Sequence, residues 1–252
     1  MTRTPIRQFA LGMLALPLAL GLAACDKKAD DGAPKSSEPI AKIAPPAGKA
    51  WADVVEKTPE GGYRMGNPKA PIKLVEYGAL SCSHCAEFAK ESFEKLRDDY
   101  IASGRVSYEL RYFMLNPYDI PASLLATCGS TEAVIPLSEQ FWAWQPNMFA
   151  NVQAAGDAKL KALGEMPKEQ QISAIADLSG MTEFYSSRGI SRDQAKACLA
   201  DTAKAKALAD QTEKASSEYD ITGTPTFFLN GSKIGSAVWK EIEAKLQEAG
   251  AR

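Results

Sequence analysis

The chain has 252 residues, of which 45% are hydrophobic and 24% are charged, and its formal net charge is −2. These values are ordinary for a soluble globular protein of one or two domains. The nearly balanced charge gives no electrostatic basis for binding nucleic acid, so we expect no nucleic-acid partner.

The N-terminus has the features of an export signal. Arg3 and Arg7 precede an apolar stretch over residues 9–24 that ends in small side chains. This stretch is too short to span a bilayer comfortably, and a signal peptide has the same order of a basic and then an apolar region. The sequence therefore predicts a protein that leaves the cytoplasm.

The end of this stretch, Leu-Ala-Ala-Cys at residues 22–25, resembles the lipobox of bacterial lipoproteins. The resemblance implies that residues 1–24 are removed and that Cys25 carries a lipid. It also implies a periplasmic protein anchored to a membrane, and Asp26 implies the inner membrane. The alternative is an ordinary signal peptide cut nearby, which would leave Cys25 as a free thiol.

Residues 25–60 have the composition of a flexible tether. Pro, Ala, Lys, Asp and Ser dominate, and no apolar period is visible. Such a segment buries too little apolar surface to fold by itself. We expect the folded part of the chain to begin near Gly61.

The first folded stretch predicts a strand–helix–strand unit. Residues 72–80 form a short apolar run that is typical of a central strand, and residues 106–115 are rich in β-branched and aromatic side chains. Between them, apolar side chains recur with helical spacing, and Gly104 is placed to end the helix. These apolar residues are Ala89, Phe93, Leu96 and Tyr100. The two strands should be parallel, as in a βαβ unit.

The next hundred residues carry almost no strand signal and predict helices. We place these helices at 121–128, 136–150, 167–178, 182–188 and 192–217. Ser191 and Gln194 form a capping box for the last helix. A block of this kind is an inserted helical domain if the strands before and after it share one sheet.

The C-terminal part returns to strand and then to helix. Asn230-Gly231 is a strong hairpin signal, which predicts that 226–229 pairs antiparallel with 232–235. The last helix carries apolar residues on one stripe. They are Val238, Ile242 and Leu246.

The stretch Ser-Cys-Ser-His-Cys at residues 81–85 contains the only histidine of the chain. Cys82 lies where a strand ends and a helix begins, and a helix N-terminus favours a thiolate and lowers the thiol pKa. Cys85 lies on the same helix face and can close a disulfide with Cys82. His84 lies on the opposite side, so it is a poor general base for Cys82, but it can stabilise the thiolate as a dipole or cation.

Three kinds of site fit two cysteines at this spacing. A zinc site would need Cys128 and Cys198 as further ligands, because the chain has no second Cys-x-x-Cys or His pair. A purely structural Cys82–Cys85 bridge would close a very small loop and constrain the unfolded chain little. A redox dithiol is the expected use of this motif in a βαβ unit. We therefore predict a redox pair, with no metal and no cofactor.

A second motif, Gly-Thr-Pro-Thr-Phe-Phe-Leu-Asn-Gly at 223–231, completes a family pattern. Together with residues 81–85 it resembles the thioredoxin superfamily, and the helical block resembles its DsbA-like branch. The resemblance implies an α/β thioredoxin fold, with a mixed central sheet flanked by helices and an inserted all-helical domain. On this basis residues 61–117 and 206–252 form the two parts of the thioredoxin fold, and residues 118–205 form the insertion.

The resemblance also implies roles for individual residues. Cys82 matches the exposed nucleophile, Cys85 matches its resolving partner, and His84 matches the histidine of the family's Cys-Pro-His-Cys pattern. Pro225 matches a cis-proline that packs beside the disulfide. Thr224 matches the residue whose backbone pairs with a substrate strand.

The family pattern assigns a role to Glu76 and to the other two cysteines. Glu76 lies six residues before Cys82, where DsbA-like proteins carry a buried acid that exchanges a proton with the resolving cysteine. An exposed charge at the end of a strand is the other interpretation of Glu76. Cys128 and Cys198 match a second disulfide that braces the insertion, and the alternative is two buried free thiols.

The function implied by the resemblance is thiol–disulfide exchange on exported proteins. The first expectation is an oxidase that acts on unfolded or reduced exported proteins and is reoxidised by a quinone-linked membrane partner. Ser83 and Thr224 replace the proline and valine of the best-known oxidases, which leaves a reductase or isomerase, served by a membrane reductant, as the alternative. A third hypothesis is a non-catalytic lipoprotein that binds a metal or a peptide.

Overall fold

The computed structural model describes residues 38–235 and 237–252. Its centre is a six-stranded sheet with the strand order β1-β2-β4-β3-β5-β6. The strands are β1 Val55–Lys57, β2 Tyr63–Gly66, β3 Ile72–Gly78, β4 Val106–Tyr112, β5 Thr226–Leu229 and β6 Ser232–Ile234. β3 and β4 are parallel, and the other neighbouring pairs are antiparallel.

Eight α-helices surround this sheet in the part of the chain that is described. They are α1 Ser83–Lys95, α2 Asp119–Ala126, α3 Val134–Gly164, α4 Lys168–Leu178, α5 Met181–Ser186, α6 Arg192–Leu199, α7 Thr202–Tyr219 and α8 Trp239–Glu248. A π-helical turn, Leu96–Ile101, extends α1, and short 3₁₀ turns lie at Trp51–Asp53 and Thr131–Ala133. None of the described helices is long and apolar enough to cross a membrane.

The two faces of the sheet are covered by different helices. On one face Phe88 of α1 packs against Phe227 of β5 and Trp239 of α8, with ring centroids 4.4 and 6.2 Å apart. On the other face Ala215 of α7 joins a buried cluster with Tyr77 of β3. Such a mixed sheet covered on both sides, with α2 to α6 inserted between β4 and β5, confirms the predicted thioredoxin fold with a helical insertion.

The local predictions at the centre of the fold are confirmed. β3 pairs with β4 in parallel and with β5 in antiparallel register, so the sequence-distant strands share one sheet. Asn230 and Gly231 form the hairpin turn between β5 and β6, with φ of +49° and +86°. Gly104 ends the first helix with φ of +72°, a conformation that glycine adopts without strain.

The tether predicted for residues 25–60 is wrong from Ile40 onward. Trp51 and Val55 are buried, and β1 pairs with β2 at the edge of the sheet. Ile40 and Ile43 pack partly against the core, and the Trp51 indole donates a hydrogen bond to the Ile43 carbonyl. These apolar residues follow neither a helical nor a strand period in the sequence, because they pack onto the outer surface of the fold. They are buried by contacts with other elements and not by their own secondary structure.

Some helix boundaries differ from the prediction. α3 continues to Gly164 past a break at Gly156, whose φ is +76°. The single helix predicted for 192–217 is divided into α6 and α7, because the Asp201 side chain caps the second helix by accepting from the Lys204 N–H. The predicted domain boundary at residues 205/206 therefore falls inside α7.

The stripe predicted for the last helix is only partly correct. Ile242 and Leu246 are fully buried, but Val238 caps the helix and is 55% exposed. Trp239, the first residue of α8, takes the buried position instead. The helix begins one residue later than the apolar spacing implies, which turns Val238 outward.

The disulfide expected in the insertion is present. Cys128 and Cys198 are bonded and lie 70 residues apart, so they join the end of α2 to α6. This bond removes both sulfurs as zinc ligands, and within residues 38–235 and 237–252 no cluster of His, Cys, Asp or Glu suits a metal ion. The predicted signal peptide and the lipidation site at Cys25 lie outside the described residues.

Candidate active site

Cys82 lies at the connection between β3 and α1, where it caps the helix. Its backbone is extended, and its Sγ accepts a hydrogen bond from the Cys85 N–H at 3.4 Å. The first N–H groups of a helix have no partner within the helix, so a side chain at this position receives them. The sequence therefore places a sulfur where the helix offers hydrogen-bond donors.

The loop that precedes β5 closes over this sulfur. The Thr224–Pro225 peptide bond is cis, as the family resemblance implies, and Cys82 Sγ lies 3.2 Å from the Thr224 carbonyl oxygen. The Thr224 hydroxyl is buried and has no hydrogen-bond partner among the described residues. Cys82 is consequently only 7% exposed, which corrects the prediction of an exposed nucleophile.

The surroundings of Cys82 favour its ionised form. Its pKa is lowered to about 5, chiefly by a hydrogen bond from the Cys85 thiol, and further by Thr224 and by the backbone N–H groups of Cys85 and His84. Burial acts in the opposite direction but is outweighed. A free cysteine thiol ionises with a pKa of about 8.5. At neutral pH Cys82 is therefore a thiolate in the reduced protein.

Cys85 has the opposite character. It is fully buried, and burial, its hydrogen bond to Cys82 and the charge of Glu76 raise its pKa well above the usual value. Both thiols are free in this structure, so the reduced state pairs an ionised Cys82 with a protonated Cys85. A pair with such different pKa values supplies a nucleophile or leaving group at one sulfur and a proton at the other.

Glu76 is buried beneath the two cysteines. It is 1% exposed, and its Oε2 accepts a hydrogen bond from the Tyr108 hydroxyl at 2.7 Å. The other carboxylate oxygen has no hydrogen-bond partner among the described residues. Burial raises the pKa of Glu76 to about 8, and repulsion from Cys82 adds to the rise. The structure therefore supports the first interpretation of Glu76, a buried acid near the active site. With this pKa, Glu76 carries a proton at neutral pH.

His84 lies at the edge of this arrangement. Its imidazole is 77% exposed, and its Nδ1 is 3.8 Å from the Glu87 carboxylate. What reaches the sulfur is the backbone N–H of His84, one of the groups that lower the pKa of Cys82. Its placement away from the sulfur agrees with the exclusion of a Cys–His hydrolase mechanism.

The helical insertion holds the loop that carries Cys82, which the sequence did not predict. The Trp142 indole N–H donates to the Ala79 carbonyl at 2.9 Å. Gln145 Nε2, on the same face of α3, donates to the carbonyls of Leu80 and Cys82 at 2.7 and 3.0 Å. The Leu80 carbonyl has no other donor among the described residues, whereas the carbonyls of Ala79 and Cys82 also accept from the N–H groups of Cys82 and Ala86. Because the Leu80 carbonyl is buried, losing its donor would be costly.

Asp119 holds the same loop from the start of α2. Its fully buried carboxylate accepts hydrogen bonds from the N–H and the hydroxyl of Ser81, at 2.8 and 2.9 Å. It also accepts from the N–H groups of Leu115 and Asn116. Burial raises the pKa of this carboxyl despite these four donors. An Asp near a helix start and a Gln three residues after a Trp are too common to identify such roles from sequence.

Apolar side chains are exposed beside the active site on the side of the insertion. Leu115 and Phe149 are exposed, and the Phe149 ring lies 6.3 Å from that of Tyr118. The Asn116 side-chain amide donates to the Ser81 hydroxyl, which ties this surface to the loop before Cys82. An exposed apolar surface is therefore connected to the loop that precedes Cys82.

Comparisons with known proteins agree with this geometry. A family model described as thioredoxin matches residues 58–248. A Rickettsia conorii protein assigned as a protein-disulfide oxidoreductase is 26% identical over 81% of this chain and 68% of its own length.

Two solved structures share the fold. A protein-disulfide isomerase from Novosphingobium aromaticivorans is 27% identical with a TM-score of 0.70, covering 74% of this chain and 96% of that one. The α-DsbA1 of Wolbachia pipientis is 21% identical with a TM-score of 0.58, covering 74% and 90%. The chain therefore belongs to the thioredoxin family and is a DsbA-like thiol–disulfide oxidoreductase.

Proposed function

We propose that this protein is a disulfide oxidase that donates a Cys82–Cys85 disulfide to reduced exported proteins. The observation that carries the proposal is the position of Cys82 at the N-terminus of α1, where its Sγ accepts from the Cys85 N–H at 3.4 Å and its pKa is lowered to about 5. At pH 7 a thiolate with this pKa stabilises the reduced enzyme by about 2.7 kcal/mol relative to an unperturbed thiol. For a two-electron couple this corresponds to a potential more positive by about 60 mV, so the oxidised form is the better electron acceptor.

The reaction is an exchange of disulfides in two steps. A substrate thiolate attacks Cys82 Sγ, the Cys82–Cys85 bond breaks, and its electron pair goes to Cys85 Sγ, which takes up a proton. A second substrate thiol then loses its proton and attacks the substrate sulfur of the mixed disulfide, and Cys82 leaves as a thiolate. Overall, a substrate dithiol becomes a disulfide, while the enzyme gains one protonated thiol and one thiolate and a proton is released.

Glu76 is the proposed source of the proton for Cys85. Its pKa of about 8 keeps it protonated at pH 7, and it lies close enough to Cys85 to affect the pKa of that thiol. A neutral acid at this position can therefore protonate the thiolate that leaves at Cys85. The Glu76 carboxylate then regains a proton from solvent, because its pKa of about 8 lies above the pH of the reaction.

Thr224 and Pro225 form the proposed contact for the substrate backbone. The Thr224 carbonyl lies against Cys82 Sγ, so a chain that pairs with this loop brings its own cysteine to the reactive sulfur.

The proposed location is the periplasm, with a lipid on Cys25 that anchors the protein to the inner membrane. Support comes from the basic and apolar order of residues 1–24 and from the lipobox-like end of that stretch. A membrane protein linked to the quinone pool would then reoxidise Cys82 and Cys85. Labelling cells with radioactive palmitate tests the anchor: the wild type should carry label, Cys25→Ala should not, and an unlabelled wild type would contradict the proposal.

The redox potential tests the direction of the reaction. Equilibration with glutathione should give a value near about −120 mV for an oxidase, whereas a value near about −270 mV would indicate a reductant. An intermediate value near about −180 mV would favour an isomerase, the activity in the name of the Novosphingobium aromaticivorans structure.

A non-catalytic binding lipoprotein is tested separately. Cys82→Ser should abolish the oxidation of a reduced substrate protein by the oxidised enzyme. Full activity of this variant would refute the proposed chemistry.

A further inference from the structure

A groove runs from the active site along α1, on the side away from the helical insertion. It has a volume of about 330 Å³, and its lining is shared between one face of α1, the cis-proline loop and the residues before α8. The lining residues are His84, Glu87, Phe88, Glu91, Thr224, Pro225, Ala237 and Val238. Thr224 lines this groove, and its carbonyl oxygen lies 3.2 Å from Cys82 Sγ, so the groove is continuous with the reactive sulfur.

The floor and the wall of this groove differ in chemistry. Phe88, Pro225 and Val238 provide apolar surface, whereas Glu87 and Glu91 place two carboxylates one helical turn apart. Among residues 38–235 and 237–252, no lysine or arginine lines the groove. Within the described residues, no ion pair with a lysine or arginine forms at either carboxylate.

The neighbouring lysines of α1 do not form ion pairs with these carboxylates. Lys90 lies three residues after Glu87 and Lys95 four residues after Glu91, which are spacings that favour an ion pair on a helix. Lys95 Nζ instead pairs with Glu243 of α8 at 2.5 Å, and Lys90 forms no ion pair within the described residues. The groove therefore has two carboxylates along one side, and the basic side chain among its described lining residues is the His84 imidazole, 3.8 Å from Glu87.

We propose that this groove selects extended segments of reduced proteins in which a lysine or arginine lies within a few residues of the reacting cysteine. This inference deepens the proposed oxidase function and rests on it. The apolar stem of a lysine or arginine can lie along Pro225 and Val238 while its charged end reaches Glu87 or Glu91. Exposed ion pairs of this kind are individually weak, so the effect is a bias among substrates rather than strict selection.

The test uses four dithiol peptides that differ only in the residues beside one cysteine: Arg, Gln, Glu or Phe. The oxidised full-length protein is expected to oxidise the Arg peptide with a kcat/KM about 3- to 10-fold above that of the Glu peptide, with Gln between them. The ratio should approach one in 1 M NaCl, because exposed charges are screened there.

Variants separate the groove from the intrinsic reactivity of the peptides. In the double variant Glu87→Gln/Glu91→Gln, the ratio of kcat/KM for the Arg peptide to that for the Glu peptide should fall to the ratio of their uncatalysed exchange rates with oxidised glutathione. The control is Glu94→Gln, which changes an exposed glutamate of α1 outside the groove and should keep the wild-type ratio. Urea unfolding of the double variant checks that it is folded.

Two results would overturn the inference. One is an unchanged ratio in the double variant, and the other is a Phe peptide preferred over Arg in the wild type, which would mean that the apolar floor alone selects. Failure of the oxidase function is distinct from both, since the neutral Gln peptide would then not be oxidised at all.

Discussion

The reduced protein contains two buried groups whose titrations oppose each other, and this predicts an unusual pH dependence of stability. Cys82 has a pKa of about 5 in the folded state, against about 8.5 in an unfolded chain. Between these values the unfolded state holds a proton that the folded state lacks, so the free energy of unfolding rises by about 1.4 kcal/mol per pH unit. This contribution, about 5 kcal/mol in total, is complete above pH 8.5 and is lost as the pH falls through 5.

Glu76 acts with the opposite sign over nearly the same range. Its pKa is about 8 in the folded state, against about 4.3 in an unfolded chain. The folded state holds the extra proton, so this group lowers the free energy of unfolding by about 1.4 kcal/mol per pH unit. Its contribution is complete below pH 4.3 and is lost as the pH rises through 8. In the reduced wild type the opposite contributions of Cys82 and Glu76 cancel between about pH 5 and 8, so the free energy of unfolding changes little with pH in this range.

Two substitutions separate the contributions of Cys82 and Glu76 to the pH dependence of the free energy of unfolding. In Cys82→Ser the free energy of unfolding should fall by about 1.4 kcal/mol per pH unit relative to the reduced wild type, because burial, the main cause of the shift at Glu76, remains. In Glu76→Gln it should rise by a similar amount. Glu94→Gln, which alters an exposed carboxylate, should run parallel to the wild type.

The assay is urea denaturation at pH 5.5, 6.5 and 7.5, with reductant for the reduced proteins and without it for the oxidised wild type, and the quantity compared is the difference between each protein and the reduced wild type. Oxidised wild type, which lacks an ionising thiol, should behave like Cys82→Ser. Parallel lines for Cys82→Ser and reduced wild type would refute the stabilised thiolate, and parallel lines for Glu76→Gln would refute the buried protonated acid.

Three further predictions concern the parts of the structure that support the active site. Replacing both Cys128 and Cys198 by alanine should lower the free energy of unfolding by about 4 kcal/mol, from the entropy of a 70-residue loop, and urea denaturation that shows no loss would contradict this. Gln145→Leu leaves the buried Leu80 carbonyl without a donor and should lower the free energy of unfolding by about 1–3 kcal/mol in the same assay, whereas an unchanged midpoint would show that this hydrogen bond is dispensable. Trp51→Ala should lower the free energy of unfolding by about 3–5 kcal/mol and make residues 38–57 more susceptible to proteases. Equal cleavage of wild type and variant would mean that Trp51 does not hold this segment against the fold.

The sequence alone determined the features that depend on neighbouring residues. A strand followed by Cys82 at a helix N-terminus, a turn at Asn230-Gly231 and a capping box at Ser191 are specified within a few residues of chain. Each rests on backbone geometry or on hydrogen bonds that span one turn, so a local pattern is sufficient to predict it. The redox pair and the hairpin strand beside it were predicted for this reason.

Only the tertiary structure decided which side chains surround the sulfur. Glu76 occupies a strand position that is equally compatible with solvent, and it is buried because α1 packs on that face. Gln145 reaches the loop before Cys82 from 63 residues away, and Asp119 reaches Ser81 from 38. Trp51 lies in a segment with the composition of a linker. Such contacts depend on how distant elements pack together, and no local pattern records which partner a buried polar group will find.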